Sequence, residues 1–186
     1  MKTVFPLLLL ILFCSAVLVD NDRFQQVINA TTDPVVKQKL IDFEKKGIER
    51  TVDTSRYDKE ALIALAKTYV GTPHKMGGIT KKGIDCSGFM MVIHGEFGVK
   101  LPHSAHEQAR YGIVVPSKEE LKKGDMVFFY ASYNAANFIT HSGVYLGDGT
   151  FIHTSNSCGV IVSPIDDSYW GPRYLFGTRL SNQSTL

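Results

Sequence analysis

The residues best equipped for covalent chemistry in this 186-residue sequence are Asp85-Cys86-Ser87-Gly88-Phe89, with His141 and His153 far downstream. A thiol, an imidazole to move its proton and a second group to orient that imidazole are the kit for cysteine-based acyl transfer. Asp85 is a good N-cap, which places Cys86 at the first position of a helix. There the free backbone N–H groups and the positive end of the helix dipole favour a thiolate over a thiol. Gly88 leaves room for another backbone or a substrate to come close. The competing reading is a buried structural cysteine, and the two histidines argue against it.

His141 opens a predicted strand and His153 closes its hairpin partner. A three-residue loop at Gly147-Asp148-Gly149 sets Gly143 opposite His153, which makes His141 its diagonal neighbour on the same face. A two-residue loop would turn one ring to the other face. His141 then offers one nitrogen to Cys86 and the other to His153, which fixes the tautomer and holds the ring in plane. Two half-buried sheet histidines or a metal pair are the alternatives. No third ligand at matching spacing accompanies them, so neither metal nor cofactor is expected.

Several elements must position these groups. Asp33-Pro34 starts a helix whose stripe Val36, Leu40 and Phe43 runs down to Gly47. A second helix runs from about Asp58 to Val70, with Leu62, Leu65, Ala66 and Tyr69 at helical spacing, and Gly71-Thr72-Pro73 ends it. A glycine-rich loop from Gly77-Gly78 to Gly83 leads into the helix from about Cys86 to Phe97. Leu101-Pro102-His103-Ser104 opens a short helix through Gln108 to Tyr111. After Gly124 the pattern turns to strands: Met126–Tyr130, His141–Leu146, Thr150–Thr154, Val160–Ser163 and Tyr174–Thr178. Helices first and an antiparallel meander after them make an α+β fold.

The composition, 44% hydrophobic and 20% charged with a net charge of +2, suits one globular domain with short extensions. No run of basic residues interleaved with aromatics points to nucleic acid. Met1-Lys2-Thr3 and the apolar stretch Val4 to Val19 read as a secretory signal peptide, residues 1–19. An uncleaved anchor and lipidation at Cys14 are the lesser options, the latter disfavoured by bulky Phe13. No stable membrane insertion is expected after signal removal. Residues 20–56 read as a helical arm or spacer, 57–180 as the catalytic domain and 181–186 as a tail. Cys86 and Cys158 as a disulfide would suit a secreted chain. Their contexts, an Asp-Cys-Ser-Gly turn and a loop after Ser155-Asn156-Ser157, make Cys158 incidental instead.

The segment from about Tyr57 to Arg179 resembles the NlpC-type peptidoglycan cysteine endopeptidases. The matching motifs are Gly71-Thr72-Pro73, Gly77-Gly78, Asp85-Cys86-Ser87-Gly88-Phe89, Leu101-Pro102 and Gly124-Asp125-Met126-Val127-Phe128-Phe129. They continue with His141-Ser142-Gly143-Val144-Tyr145-Leu146-Gly147, Gly149-Thr150-Phe151-Ile152-His153 and Tyr169-Trp170. The resemblance implies a papain-like core with its N-terminal helices packed on an antiparallel sheet. It further implies Cys86 as nucleophile, His141 as base and His153 as orienting residue. Where that family carries Tyr-x-Trp before Gly-Gly, this chain has His74-Lys75-Met76, and the arginine common after Leu-Pro is His103.

The function implied is a secreted or periplasmic monomeric hydrolase acting on peptidoglycan stem peptides at the D-γ-glutamyl–diamino acid bond. His74, Asp85, Ser87 and Ser104 are the expected substrate-binding residues, with helix capping the alternative role for Asp85 and Ser87. The aromatic and amide-rich segment Tyr130 to Phe138, which enters His141, is read as a lip over the groove. An amidase or acyltransferase using the same thiol is the second reading, and a catalytically silent wall-binding module the third.

Overall fold

The computed structural model describes residues 15–180, with side chains from Arg23 onward. The signal peptide for its greater part, Cys14 and the tail 181–186 lie outside the described residues.

Among the described residues, two helices precede the segment that begins at Tyr57. Helix α1 spans Ser15–Ala30 and α2 spans Pro34–Glu44. The Asp33 carboxylate caps α2 by accepting from the Val35 and Val36 N–H groups, and Pro34 fits the first turn because its missing N–H is not needed there. The stripe Val36, Leu40 and Phe43 is buried as expected. The last turns of α1 were not legible as a helix within the polar segment from Asp20. They form because Phe24, Val27 and Ile28 share one face and are buried against α2 and the sheet. The Phe24 and Phe176 rings meet edge to face at 5.2 Å. Arg110, fully buried, fastens this arm: its guanidinium donates to the carbonyls of Phe43 and Gly47 and lies 4.0 Å over the Phe43 ring.

Helix α3, Lys59–Lys67, starts on the Asp58 cap and ends three residues before the expected Val70. There Thr68, Tyr69 and Val70 donate to carbonyls three residues back, tightening the final turn. The glycine-rich loop folds into a small hairpin, β1 (Ile79–Thr80) against β2 (Gly83–Ile84). Helix α4, Cys86–Gly95, and the short α5, Ala105–Gln108, complete the helical layer.

The remaining strands are β3 (Ile113–Val115), β4 (Met126–Tyr130), β5 (Ile139–Gly147), β6 (Thr150–Ser155), β7 (Gly159–Pro164) and β8 (Tyr174–Arg179). They form one antiparallel sheet in the order β3-β8-β4-β5-β6-β7. Strand β4 is apolar throughout because both of its faces are covered. Met126 and Phe128 join the core under the helices, while Val127 and Phe129 join Phe151, Ile165 and Trp170 in a second, smaller core on the other face. The fold is α+β, as read from the sequence.

The β5–β6 connection differs from expectation in an instructive way. Gly147 pairs with Thr150, so the turn is the two-residue Asp148-Gly149, both with positive φ. Alone it would reverse the faces. A bulge between Tyr145 and Gly147 adds the missing residue and restores Gly143 opposite His153.

Candidate active site

Cys86 is the first residue of α4, directly after the Asp85 cap. The Asp85 carboxylate is buried and both oxygens are engaged. Oδ1 accepts from the Gly88 N–H at 2.7 Å, Ser87 Oγ at 3.1 Å and His103 Nε2 at 2.9 Å, and Oδ2 accepts from the Gly77 N–H at 2.6 Å. These hydrogen bonds hold its pKa below the usual carboxylate value against the opposing effect of burial. Asp85 thereby locks the glycine-rich loop to the helix start. Gly88 is required here: a Cβ at that position would lie 2.2 Å from the Gly78 carbonyl oxygen.

The Cys86 thiol is free and the residue is half-buried on the floor of a cleft of about 380 Å³. Its sulfur lies 3.9 Å from the Thr140 carbonyl oxygen, so it rests against the backbone just before His141. His74, Asp85, Ser87 and Ser104, the expected substrate-binding residues, all line this cleft, with Tyr133 and Asn137 of the lip segment facing them. Backbone pairing places His74, whose neighbours Pro73 and Lys75 exchange hydrogen bonds with Ile84. The Ser104 hydroxyl caps α5 by accepting from the Glu107 N–H. Cys158 is also a free thiol, exposed in the β6–β7 turn.

His141 and His153 meet as the strand register requires. His141 Nε2 and His153 Nδ1 are 3.0 Å apart, and His153 Nε2 is 3.0 Å from Ser163 Oγ. His141 shares a face with its cross-strand partner Phe129 and stacks on Trp170 at 4.5 Å and 25°. His153 stacks on Phe151 at 4.4 Å. With Nε2 committed to His153, Nδ1 is the His141 nitrogen left for proton transfer.

The sequence supplied no signal for Ser163 beyond its place in a strand, and none for Gln108. Gln108 is fully buried and donates to the Ser87 and Pro102 carbonyls at 2.8 Å each, while its Oε1 accepts from Ser142 Oγ at 3.0 Å. One amide therefore ties the helix that starts at Cys86 to the strand that carries His141.

The resting electrostatics overturn one expectation. Burial and the Asp85 carboxylate push the Cys86 thiol up to about 12, against the N–H groups of Ser142, Ser87 and Cys86 itself, which favour the thiolate. The helix start lowers the cost of the anion but does not overcome the loss of water. Burial, then the positive fields of His153 and His74, holds His141 well below the ordinary imidazole range. His153 is lowered to about 4, again chiefly by burial. The resting pair is a neutral thiol beside a neutral imidazole.

A second cleft of about 420 Å³ lies beside the first, with Asn156 lining both. His141, His153 and Ser163 border it, as do Asp167, Tyr169 and Trp170.

Residues 71–179 match the NlpC/P60 family model. A probable endopeptidase, an NlpC homolog from Haemophilus influenzae, is 39% identical over 83% of this chain and 85% of its own length. The murein DD-endopeptidase/murein LD-carboxypeptidase of Escherichia coli K12 is 37% identical over 76% of this chain and 71% of its own. An NlpC/P60 family protein from Bacillus cereus superposes with a TM-score of 0.62 at 30% identity, covering 68% of this chain and 41% of that one. Matched by the family model over more than half of its length, and 39% identical to such a relative over most of both chains, the chain belongs to the NlpC/P60 family and is an endopeptidase of it.

Proposed function

We propose that this endopeptidase acts outside the cytoplasm on peptidoglycan stem peptides, with Cys86 as nucleophile, His141 as general base and acid, and His153 as the residue that orients it. The observation that carries the proposal is the hydrogen-bonded line Ser163–His153–His141, which crosses from β7 through β6 to β5, the strand against which the Cys86 sulfur rests. For His141 Nδ1 to accept a proton, Nε2 must carry the hydrogen and donate to His153 Nδ1. His153 then carries its own hydrogen on Nε2 and donates to Ser163 Oγ.

The steps follow from the neutral resting pair. The sulfur attacks the scissile carbonyl carbon as its proton moves to His141 Nδ1, so thiolate and imidazolium arise together and each offsets the other's burial. The oxyanion accepts from the Cys86 backbone N–H and from an N–H of His74. Losing one such donor typically costs ~2.7–4 kcal/mol of transition-state stabilisation. His141 returns the proton to the leaving nitrogen as the C–N bond breaks, leaving a thioester. It then takes a proton from water, which attacks the thioester carbonyl, and the departing Cys86 sulfur regains that proton.

The proposed bond joins D-γ-glutamate to a diamino acid. The Escherichia coli relative's name favours a second reading, a D,D bond between adjoining stems. Product masses from defined uncrosslinked and crosslinked muropeptides separate the two. Cleavage of uncrosslinked tetrapeptide after glutamate supports the first, and release of two intact stems from the dimer alone supports the second.

A further inference from the structure

The two clefts divide the substrate by chemistry. Cys86 takes the acyl carbon, so the acyl side lies along the cleft with His74, His103 and Tyr133. A general acid must stand beside the nitrogen that it protonates. The leaving residue therefore passes His141 and enters the second cleft, which His141 and His153 border. Serine side chains, Asn156, Tyr169 and Trp170 line that cleft. Among the described residues lining it, Asp167 alone is charged with the histidines neutral, and no Lys or Arg is among them.

Asp167 Oδ1 accepts from the Tyr169 and Trp170 N–H groups at 2.8 and 2.6 Å. Those two hydrogen bonds set the turn that lays Trp170 against His141. Among the described residues, Oδ2 has no hydrogen-bond partner. The Asp167 charge also reaches the His153 ring, where it favours the protonated form. A half-buried carboxylate, one oxygen fixed and the other open, beside hydroxyl acceptors suits an ammonium group.

We propose that Asp167 selects a leaving residue bearing a second, free amino group, by pairing its open carboxylate oxygen with that ammonium in the cleft beyond His141. The inference rests on the γ-glutamyl reading above, since in that bond the leaving diamino acid keeps a free side-chain amine.

Three defined peptides test it: L-alanyl-γ-D-glutamyl followed by L-lysine, meso-diaminopimelate or L-norleucine. Norleucine retains the carbon chain of lysine and lacks its amine. Wild type is expected to cleave at least one amine-bearing peptide roughly 10-fold or more faster in kcat/KM than the norleucine peptide, the ratio that one charge-assisted hydrogen bond supports. Asp167→Asn keeps an oxygen for the Tyr169 and Trp170 N–H groups, and in it that preference falls to near unity. A purely structural role would slow all three peptides alike and preserve the ratio, which would overturn the proposal. Equal wild-type rates on all three would overturn it as well, leaving the bond assignment intact. Cleavage of none of the three by wild type would remove the bond assignment itself, and the role of Asp167 with it.

Discussion

Ser87 and Ser142, the residues that follow Cys86 and His141, are tied to one side chain. The Ser87 carbonyl accepts from Gln108 Nε2 at 2.8 Å, and Ser142 Oγ donates to Gln108 Oε1 at 3.0 Å. The cysteine comes from the helical layer and the histidine from the sheet, so their alignment depends on such cross-layer bonds. Gln108→Leu preserves bulk but strands the Pro102 carbonyl and the Ser142 hydroxyl and removes the side-chain donor to the Ser87 carbonyl. It is expected to cost roughly 2–3 kcal/mol of stability, read by urea unfolding, and to lower kcat more than it raises KM. A variant with wild-type kcat would show that the alignment has another source.

In the proposed relay His153, 3.0 Å from His141 Nε2, acts on His141 rather than on substrate, and its loss would permit the wrong His141 tautomer. His153→Ala is expected to lower kcat by up to ~10⁴, the scale of a tautomer error in a comparable relay, with little change in KM. Ser163→Ala removes only the far hydrogen bond and is expected to cost about 1 kcal/mol, or roughly fivefold in kcat. Equal effects from both would contradict the ordering of the relay.

The Cys86 thiol, pushed up to about 12 by burial and the Asp85 charge, is not a standing thiolate. Alkylation by iodoacetamide in a Cys14→Ser, Cys158→Ser background, which leaves Cys86 as the one cysteine of the sequence, is expected to keep accelerating above pH 9. A rate that levels off at or below pH 8 would mean that the thiolate forms at rest.

His94 gives a pH dependence of stability apart from the chemistry. It is fully buried in α4, hydrogen-bonded among the described residues through Nδ1 alone, to the Met90 carbonyl, and stacked on Tyr57; burial lowers it from 6.5 to about 4. Between these values the unfolded chain holds a proton that the folded chain does not, so acidification favours unfolding. The loss begins as pH falls through 6.5 and is complete below 4, about 3 kcal/mol in all for this group. His141 and His153 act in the same direction. His94→Gln is expected to flatten the slope of unfolding free energy against pH in that window. An unchanged slope would rule His94 out as its source.

Much of this arrangement was legible because local chemistry and long-range geometry agreed. Asp33, Asp58 and Asp85 cap the helices that they announce. The pairing of His141 with His153 followed from the register that sets Gly143 opposite His153, although the turn has two residues and a bulge supplies the third. Features decided by packing were not legible. The last turns of α1 lie in a polar stretch and take their stability from Phe176 and α2, far along the chain. Strand β3 has three residues and is defined by its partner β8. The direction of the Cys86 shift was missed because a helix N-terminus can be read from sequence, whereas the desolvation that outweighs it belongs to the folded cleft. Gln108 carries no motif, and only its burial between layers reveals its role.

The most direct test is digestion of a purified peptidoglycan preparation by wild type and Cys86→Ala side by side, with mass analysis of the released fragments and unfolding curves to establish that both proteins are folded. Wild type is expected to release stem-peptide fragments and the folded alanine variant none. Fragments released by the folded variant at a comparable rate would contradict the assignment of Cys86 as nucleophile.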